Sequence, residues 1–215
     1  AKSVFREAHM NLREFRSNSS DVLSALNEES EQAQHEATLL GIAWDPQNDK
    51  MIFNTKRYDK PPATKRQFLA YTAEFYDPLG LLTPATLPLK LFLQQLWRKE
   101  YDWDQPFDNT DRQNAGTLLE RFQGQSLKLN RQVTAELDKE HAEIHVFVDA
   151  SKDAYAAVAY LRSYKGNRYE SSLLMSKSRV APIRGITIPR LELMAALIGS
   201  RLLHFVQQQL KHTGP

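Results

Sequence analysis

Cysteine is absent from this chain. That excludes a disulfide scaffold and any thiolate-bound zinc, and it fits a reducing compartment. No apolar run approaches the length of a membrane span. Ala1 to Arg6 carry no signal-peptide pattern. Internal repeats and low-complexity tracts are missing too. The first residue is not Met, so the chain is expected to begin inside a longer product. Acid is scarce at the far end: from Leu193 to Pro215 there is no Asp or Glu.

What is present supports a folded protein. The chain has 215 residues, 41% of them apolar, enough for a buried core in one large or two small domains. The net charge of +2 is unevenly spread. From Ser151 onward ten basic residues face three acids, net +7, leaving −5 for the rest. A basic C-terminal third suits a phosphate backbone, although charge alone is read more simply as a solvated surface.

Periodicity divides the chain. Phe5 to Leu26 carries a broken helical pattern of Phe5, Met10, Leu12, Phe15, Val22, Leu23 and Leu26. Ser17 to Ser20 interrupts it, with Ser20 or Asp21 as the cap of the second piece. Glu28 to Glu36 is an acidic linker. Leu39 to Trp44, a turn at Asp45 to Asp49, and Lys50 to Phe53 predict a hairpin. Three helices are expected next, over Thr64 to Tyr76, Leu87 to Trp97 and Thr110 to Gln123, with Asp77-Pro78-Leu79-Gly80 as a breaker. Near Ile144 the period changes. Strands are expected at His145 to Asp149, Tyr155 to Leu161 and Ser171 to Ser176. A long helix follows from Thr187 to Leu210, with Pro189 in its first turn and a stripe of Leu191, Met194, Ala195, Ile198, Leu202 and Phe205. Gly199, Ala195 and Ala196 read as small residues that let this helix approach the sheet.

Two acids stand out. Asp149 ends an apolar strand, and Glu192 lies in the first turns of the long helix. A strand end and a helix start can share one edge of a sheet. Two carboxylates meeting there repel unless a divalent cation neutralises them. Mg²⁺ suits such a site because it takes oxygen ligands and keeps waters for substrate phosphate. A pair of such ions, about 4 Å apart, activates water and stabilises a leaving oxygen. Taken singly, Asp149 reads as a turn residue and Glu192 as a helix-dipole residue. His141 and His145 are four apart, but the second lies on a strand, so helical ligand spacing does not apply. Trp44, Trp97 and Trp103 read as core anchors rather than base-stacking platforms. Lys65 and Arg66 oppose the dipole of their helix, which admits a phosphate partner but more simply a solvated end. Asp77 reads as the cap of its turn.

The ordered blocks carry more than single residues. Phe147-Val148-Asp149-Ala150-Ser151, Tyr155 to Tyr160, Ser176 to Pro182 and Thr187 to Leu193 resemble the ribonuclease H region of BEL/Pao-class LTR retrotransposons. Met10 to Asn18 and Leu40 to Asp45 resemble segments after the polymerase palm. Thr64-Lys65-Arg66, Tyr76 to Pro84 and Asp102 to Pro106 resemble the thumb and connection region. The resemblance implies an α+β or α/β chain, with a helical and hairpin thumb/connection region before a truncated ribonuclease H-like β-β-β-α domain. The implied parts are 1–60, the end of the reverse transcriptase palm with its hairpin; 61–140, helical thumb and connection; and 141–215, partial ribonuclease H. It makes Asp149 and Glu192 the first two metal-binding carboxylates, with Mg²⁺ as cofactor of the complete enzyme. Ser151, Arg190, Lys177, Arg179, Lys65 and Arg66 become candidate contacts to nucleic acid. The implied partners are an RNA–DNA hybrid or primer–template and the remainder of the Pol polyprotein, with no membrane. The implied location is intracellular, in a cytoplasmic virus-like particle or the nucleus.

The departures matter. The family's third carboxylate follows the long helix, and no acid follows it here. The adjacent Asp-Asp pair of a polymerase palm is also missing. The expectation is an incomplete site, inactive in isolation, an open sheet edge where the next strand adds, and marginal stability. A non-catalytic domesticated or remnant interaction domain is the alternative.

Overall fold

In the computed structural model, residues 2–10, 16–26, 37–55, 57–133, 142–165 and 168–212 are described. The acidic linker over 28–36, residues 11–15 of the first block and His141 lie outside them. The chain forms two compact units. Unit 1 comprises residues 1–54 and 126–132; unit 2 comprises 55–125 and 133–215.

Unit 1 begins with two short helices, α1 (Lys2–Glu7) and α2 (Ser20–Leu26). The Val22 N–H donates to Ser19 Oγ. The cap of α2 is therefore Ser19, one residue before the expected Ser20 or Asp21. Four antiparallel strands follow: β1 (Ala37–Leu39), β2 (Ile42–Asp45), β3 (Lys50–Asn54) and β4 (Ser126–Asn130), in that spatial order. The predicted strand from Leu39 to Trp44 is in fact two strands. Leu40 and Gly41 both take positive φ, 51° and 85°, and reverse the chain in a two-residue hairpin loop. The predicted hairpin between β2 and β3 is present. The turn between them ends at Asp49, whose carboxylate accepts from Trp44 Nε1 at 2.9 Å and from Arg131 Nη2 at 2.9 Å. Arg131 directly follows β4, so this ion pair fastens the late strand to the early turn. Ile42, Ile52 and Phe53 are the buried apolar residues of this sheet.

Unit 2 has helices α3 (Lys65–Ala73), α4 (Thr83–Arg98) and α5 (Asn109–Glu120). Thr64 Oγ1 accepts from Gln67 N and Asp108 Oδ1 from Asp111 N, satisfying orphan donors at two helix starts. Phe68, Leu89, Phe92, Leu96, Tyr101, Phe107, Ala115 and Leu119 form one apolar core. Buried Asp111 is matched from inside: Lys99 Nζ donates to both carboxylate oxygens at 2.7 Å, and Tyr101 Oη donates at 2.9 Å.

The second sheet of the chain lies in unit 2. It is built from β5 (Glu143–Ala150), β6 (Ala154–Lys165) and β7 (Arg168–Val180), antiparallel in that order, with β5 and β7 as edges. The helix α6 (Ile188–His212) lies over β5 and β6. The predicted β-β-β-α order is present, with β6 and β7 longer than the apolar runs suggested. Leu191, Ala195, Leu202 and Val206 of α6 meet Ala150, Tyr155, Ala157, Ala159, Ile144 and Val146. At Gly199 an added Cβ would overlap Val148 Cγ1 and stand 3.5 Å from Val146 Cγ1. Gly199 is thus a close-approach residue. Ala195 is fully buried, but Ala196 is exposed and takes no part.

The opposite sheet face is met by the Asp77–Leu82 turn. Asp77 accepts from Leu81 N at 2.8 Å and Leu82 N at 2.7 Å, so it caps the turn as expected. The turn then docks on β7: Ser176 N donates to Leu79 O at 2.9 Å, and Ser176 Oγ donates to Gly80 O. Gly80 has φ +71° and no room for a side chain, since a Cβ would overlap the Ser176 carbonyl. The two units do not follow chain order. Helices and ribonuclease H-like strands share unit 2, while β4 belongs to unit 1.

Candidate functional site

Asp149 is the seventh residue of the eight-residue β5, and its cross-strand partner is Ala156. Side chains alternate along a strand. Val146 and Val148 meet Gly199 of α6, so Phe147 and Asp149 project to the other face. There Asp149 borders a cleft of about 310 Å³ between the sheet and the Gly80–Pro84 segment. Phe147, Val158, Tyr160 and Leu173 give that cleft an apolar floor. Asp149 is exposed, and its Oδ1 accepts from Ala150 N at 2.8 Å.

Glu192 lies in the first turns of α6 and is exposed. It precedes Gly199 by seven residues, two helical turns, and so occupies the flank of α6 that runs along β5. Its neighbour Leu191 is fully buried in the same cluster as Ala150, the neighbour of Asp149. The two acids consequently border the same end of β5. They do not share a face: Asp149 is on the cleft side, and Glu192 is on the helix side. Among the described residues there is no group of three or more His, Cys, Asp or Glu side chains able to hold a metal. The donors are of the right kind for Mg²⁺, but too few to hold it without phosphate and water.

The candidate contacts divide. Ser151 is a turn serine: its Oγ accepts from Asp153 N and Ala154 N, each at 3.2 Å. Arg190 is exposed, two residues before Glu192, with no acidic partner among the described residues. Lys177 pairs with Ala157 and Arg179 with Tyr155, which puts both exposed cations on the α6 face of β7. Lys65 overturns its expectation. It is only 3% exposed, with Nζ 3.8 Å from the Trp97 ring centre and donating to the Tyr101 carbonyl. Trp97 and Trp103 shield that ammonium edge to face, so it is unavailable to a phosphate. Arg66 is exposed but held by Asp104 through two bonds, at 2.8 and 2.9 Å. His145 is paired with Glu143 and stacked near Phe147, a structural arrangement. The cleft itself was not foreseen; its two walls lie more than 60 residues apart in sequence.

The family model of the Pao retrotransposon-like RNaseH-like domain matches residues 64–214. The chain belongs to this family. No curated protein matches it. The Pao retrotransposon-like match begins at the Thr64 cap of α3 and runs through α6, so it takes the helices and the β5–β7 sheet together. The match thus covers unit 2 apart from its outermost residues and also takes in β4 of unit 1. Among the described residues no helix is long and apolar enough to cross a membrane.

Proposed function

We propose that this chain is the connection and ribonuclease H-like part of a retrotransposon Pol polyprotein, and that it binds an RNA–DNA hybrid or primer–template at the acid-bearing end of unit 2. The observation carrying the reading is the apolar cluster shared by Ala150 and Leu191, which puts their neighbours Asp149 and Glu192 at one end of β5. Arg190 lies in the first turn of α6, two residues before Glu192, and Arg179 pairs with Tyr155 of the same cluster. Cations there meet the backbone phosphates. Asp149 and Glu192, on opposite faces of the same β5 end, would hold Mg²⁺ only together with phosphate and water, and the ion would supply charge neutralisation at the scissile phosphate. With no third acid beyond Glu192, the pair is an incomplete nuclease site, and this chain alone does not cleave.

Fluorescence anisotropy with labelled hybrid and double-stranded DNA tests the binding. Association that weakens steeply with salt is expected, and Arg190→Gln lowers the slope by about one. Absence of salt-dependent association with either duplex would refute the reading. Mg²⁺-dependent hybrid cleavage abolished by Asp149→Asn would refute the incomplete site. A second reading, a non-catalytic remnant or domesticated interaction domain, rests on the absence of a three-donor cluster among the described residues. An intact downstream acid in the surrounding reading frame would exclude it.

A further inference from the structure

The outward flank of α6 carries a feature that hybrid binding does not use. Leu193 is 71% exposed, Leu197 50% and Phe205 46%. With Arg201 they fall at a spacing of four residues, which makes a continuous ridge along a helix surface about 18 Å long. The ridge lies away from the buried stripe of Leu191, Ala195, Leu202 and Val206. It also lies away from the Gly199 flank that runs along β5. A solvent-facing helix ordinarily carries charges of both signs there, often as pairs four apart. Here the opposite holds. From Leu193 onward α6 contains no acid, and Arg201 has Leu197 and Phe205 at its four-residue neighbours. Arg201 is exposed and has no carboxylate partner among the described residues.

We infer that this ridge docks an acidic amphipathic helix of a partner polypeptide. Rows of side chains four apart interlock with the same rows of a second helix at a crossing angle near −50°. Leu193, Leu197 and Phe205 would fill the grooves of that helix, and a Glu or Asp on it would pair with Arg201. The charge selects the partner: a ridge with an unpaired guanidinium and no acid repels a basic helix and attracts an acidic one. The leucines and phenylalanine along it distinguish it from a phosphate-binding surface, where contacts are polar.

The test uses the whole 215-residue chain and a fluorescein-labelled blocked peptide of about twenty residues, leucine at every fourth position with glutamates beside it. A twin has lysine for every glutamate. The acidic peptide is expected to bind, with Leu197→Glu and Arg201→Glu each weakening it by about tenfold or more. The lysine twin is expected not to bind. Circular dichroism melts confirm that both exposed-site variants fold. Failure of the acidic peptide to bind the folded wild type, equal binding of the twin, or indifference to both substitutions would overturn the inference. So would loss of hybrid binding in Leu197→Glu, which assigns the ridge to nucleic acid. Self-association of the chain that Leu197→Glu abolishes would assign the ridge to a second copy and overturn the inference as well.

Discussion

Replacing Gly80 with alanine separates two costs that usually arrive together. Gly80 and Gly185 have nearly the same backbone, φ +71° and +72°. At Gly185 an added Cβ meets nothing within 4 Å, so Gly185→Ala carries only the left-handed strain of a non-glycine residue, about 1 kcal/mol. At Gly80 the same methyl overlaps the Ser176 carbonyl oxygen, and the carbonyl carbon is 2.8 Å away. Backbone cannot step aside as a long side chain can. The turn must lift off β7, weakening the bonds from Ser176 N to Leu79 O and from Ser176 Oγ to Gly80 O. Each is worth about 1 kcal/mol. Adding strain and overlap of about 1–2 kcal/mol gives about 3–4 kcal/mol for Gly80→Ala. For a chain of this size each kcal/mol moves Tm by about 2–4 °C. Thermal melts should therefore fall by about 10 °C for Gly80→Ala and about 3 °C for Gly185→Ala. Equal shifts in the two variants would refute the docking of the turn on β7.

Three further outcomes follow from named contacts. The Asp49 carboxyl is held below its ordinary 3.8, first by its hydrogen bond to Arg131. That stabilisation is present above the ordinary value and is lost as pH falls through the depressed one. Trp44 fluorescence should report an acid transition in unit 1 that flattens in Asp49→Asn, with a loss of about 1 kcal/mol at neutral pH after solvent screening. Lys65→Met keeps the buried stem but removes the ammonium from the two indole rings, costing about 1–2 kcal/mol and shifting tryptophan emission. It should leave the salt dependence of hybrid binding unchanged, since Lys65 does not reach solvent. Asp111→Ala removes the shared acceptor of Lys99 and Tyr101 from a buried position, and chemical denaturation should show a loss of about 3 kcal/mol.

Patterns that repeat locally were legible. The apolar stripe of α6, except Phe205 in whose place Val206 is buried, and the run from Ile144 to Val148 marked helix and strand because burial on one or both faces dictates composition. Asp77 announced its turn through chemistry confined to a few residues. Partners distant in sequence were not legible. Ser126 to Asn130 is short and mostly exposed, and it is a strand only because β3 pairs with it more than 70 residues away. Leu39 to Trp44 read as one strand because an apolar Leu40 conceals a reversal that Gly41 alone hinted at. Lys65 looked like a solvated cation because Trp97 and Trp103 close over it only after folding. At the candidate site, sequence placed Asp149 and Glu192 at a strand end and a helix start. It did not reveal that Val148 against Gly199 turns Asp149 to the far side of β5.

The path of the chain between its units limits how it can be dissected. The backbone leaves unit 1 after Asn54, returns for β4 and the residues to Gln132, and leaves again. No single cleavage separates two whole units. A piece cut at residue 64, where the family match starts, retains β4 without β3, stripping Met51 from Leu129 and Phe53 from Leu127. Recombination at one breakpoint would inherit the same orphan strand, with a free ladder edge and two leucines searching for a new sheet.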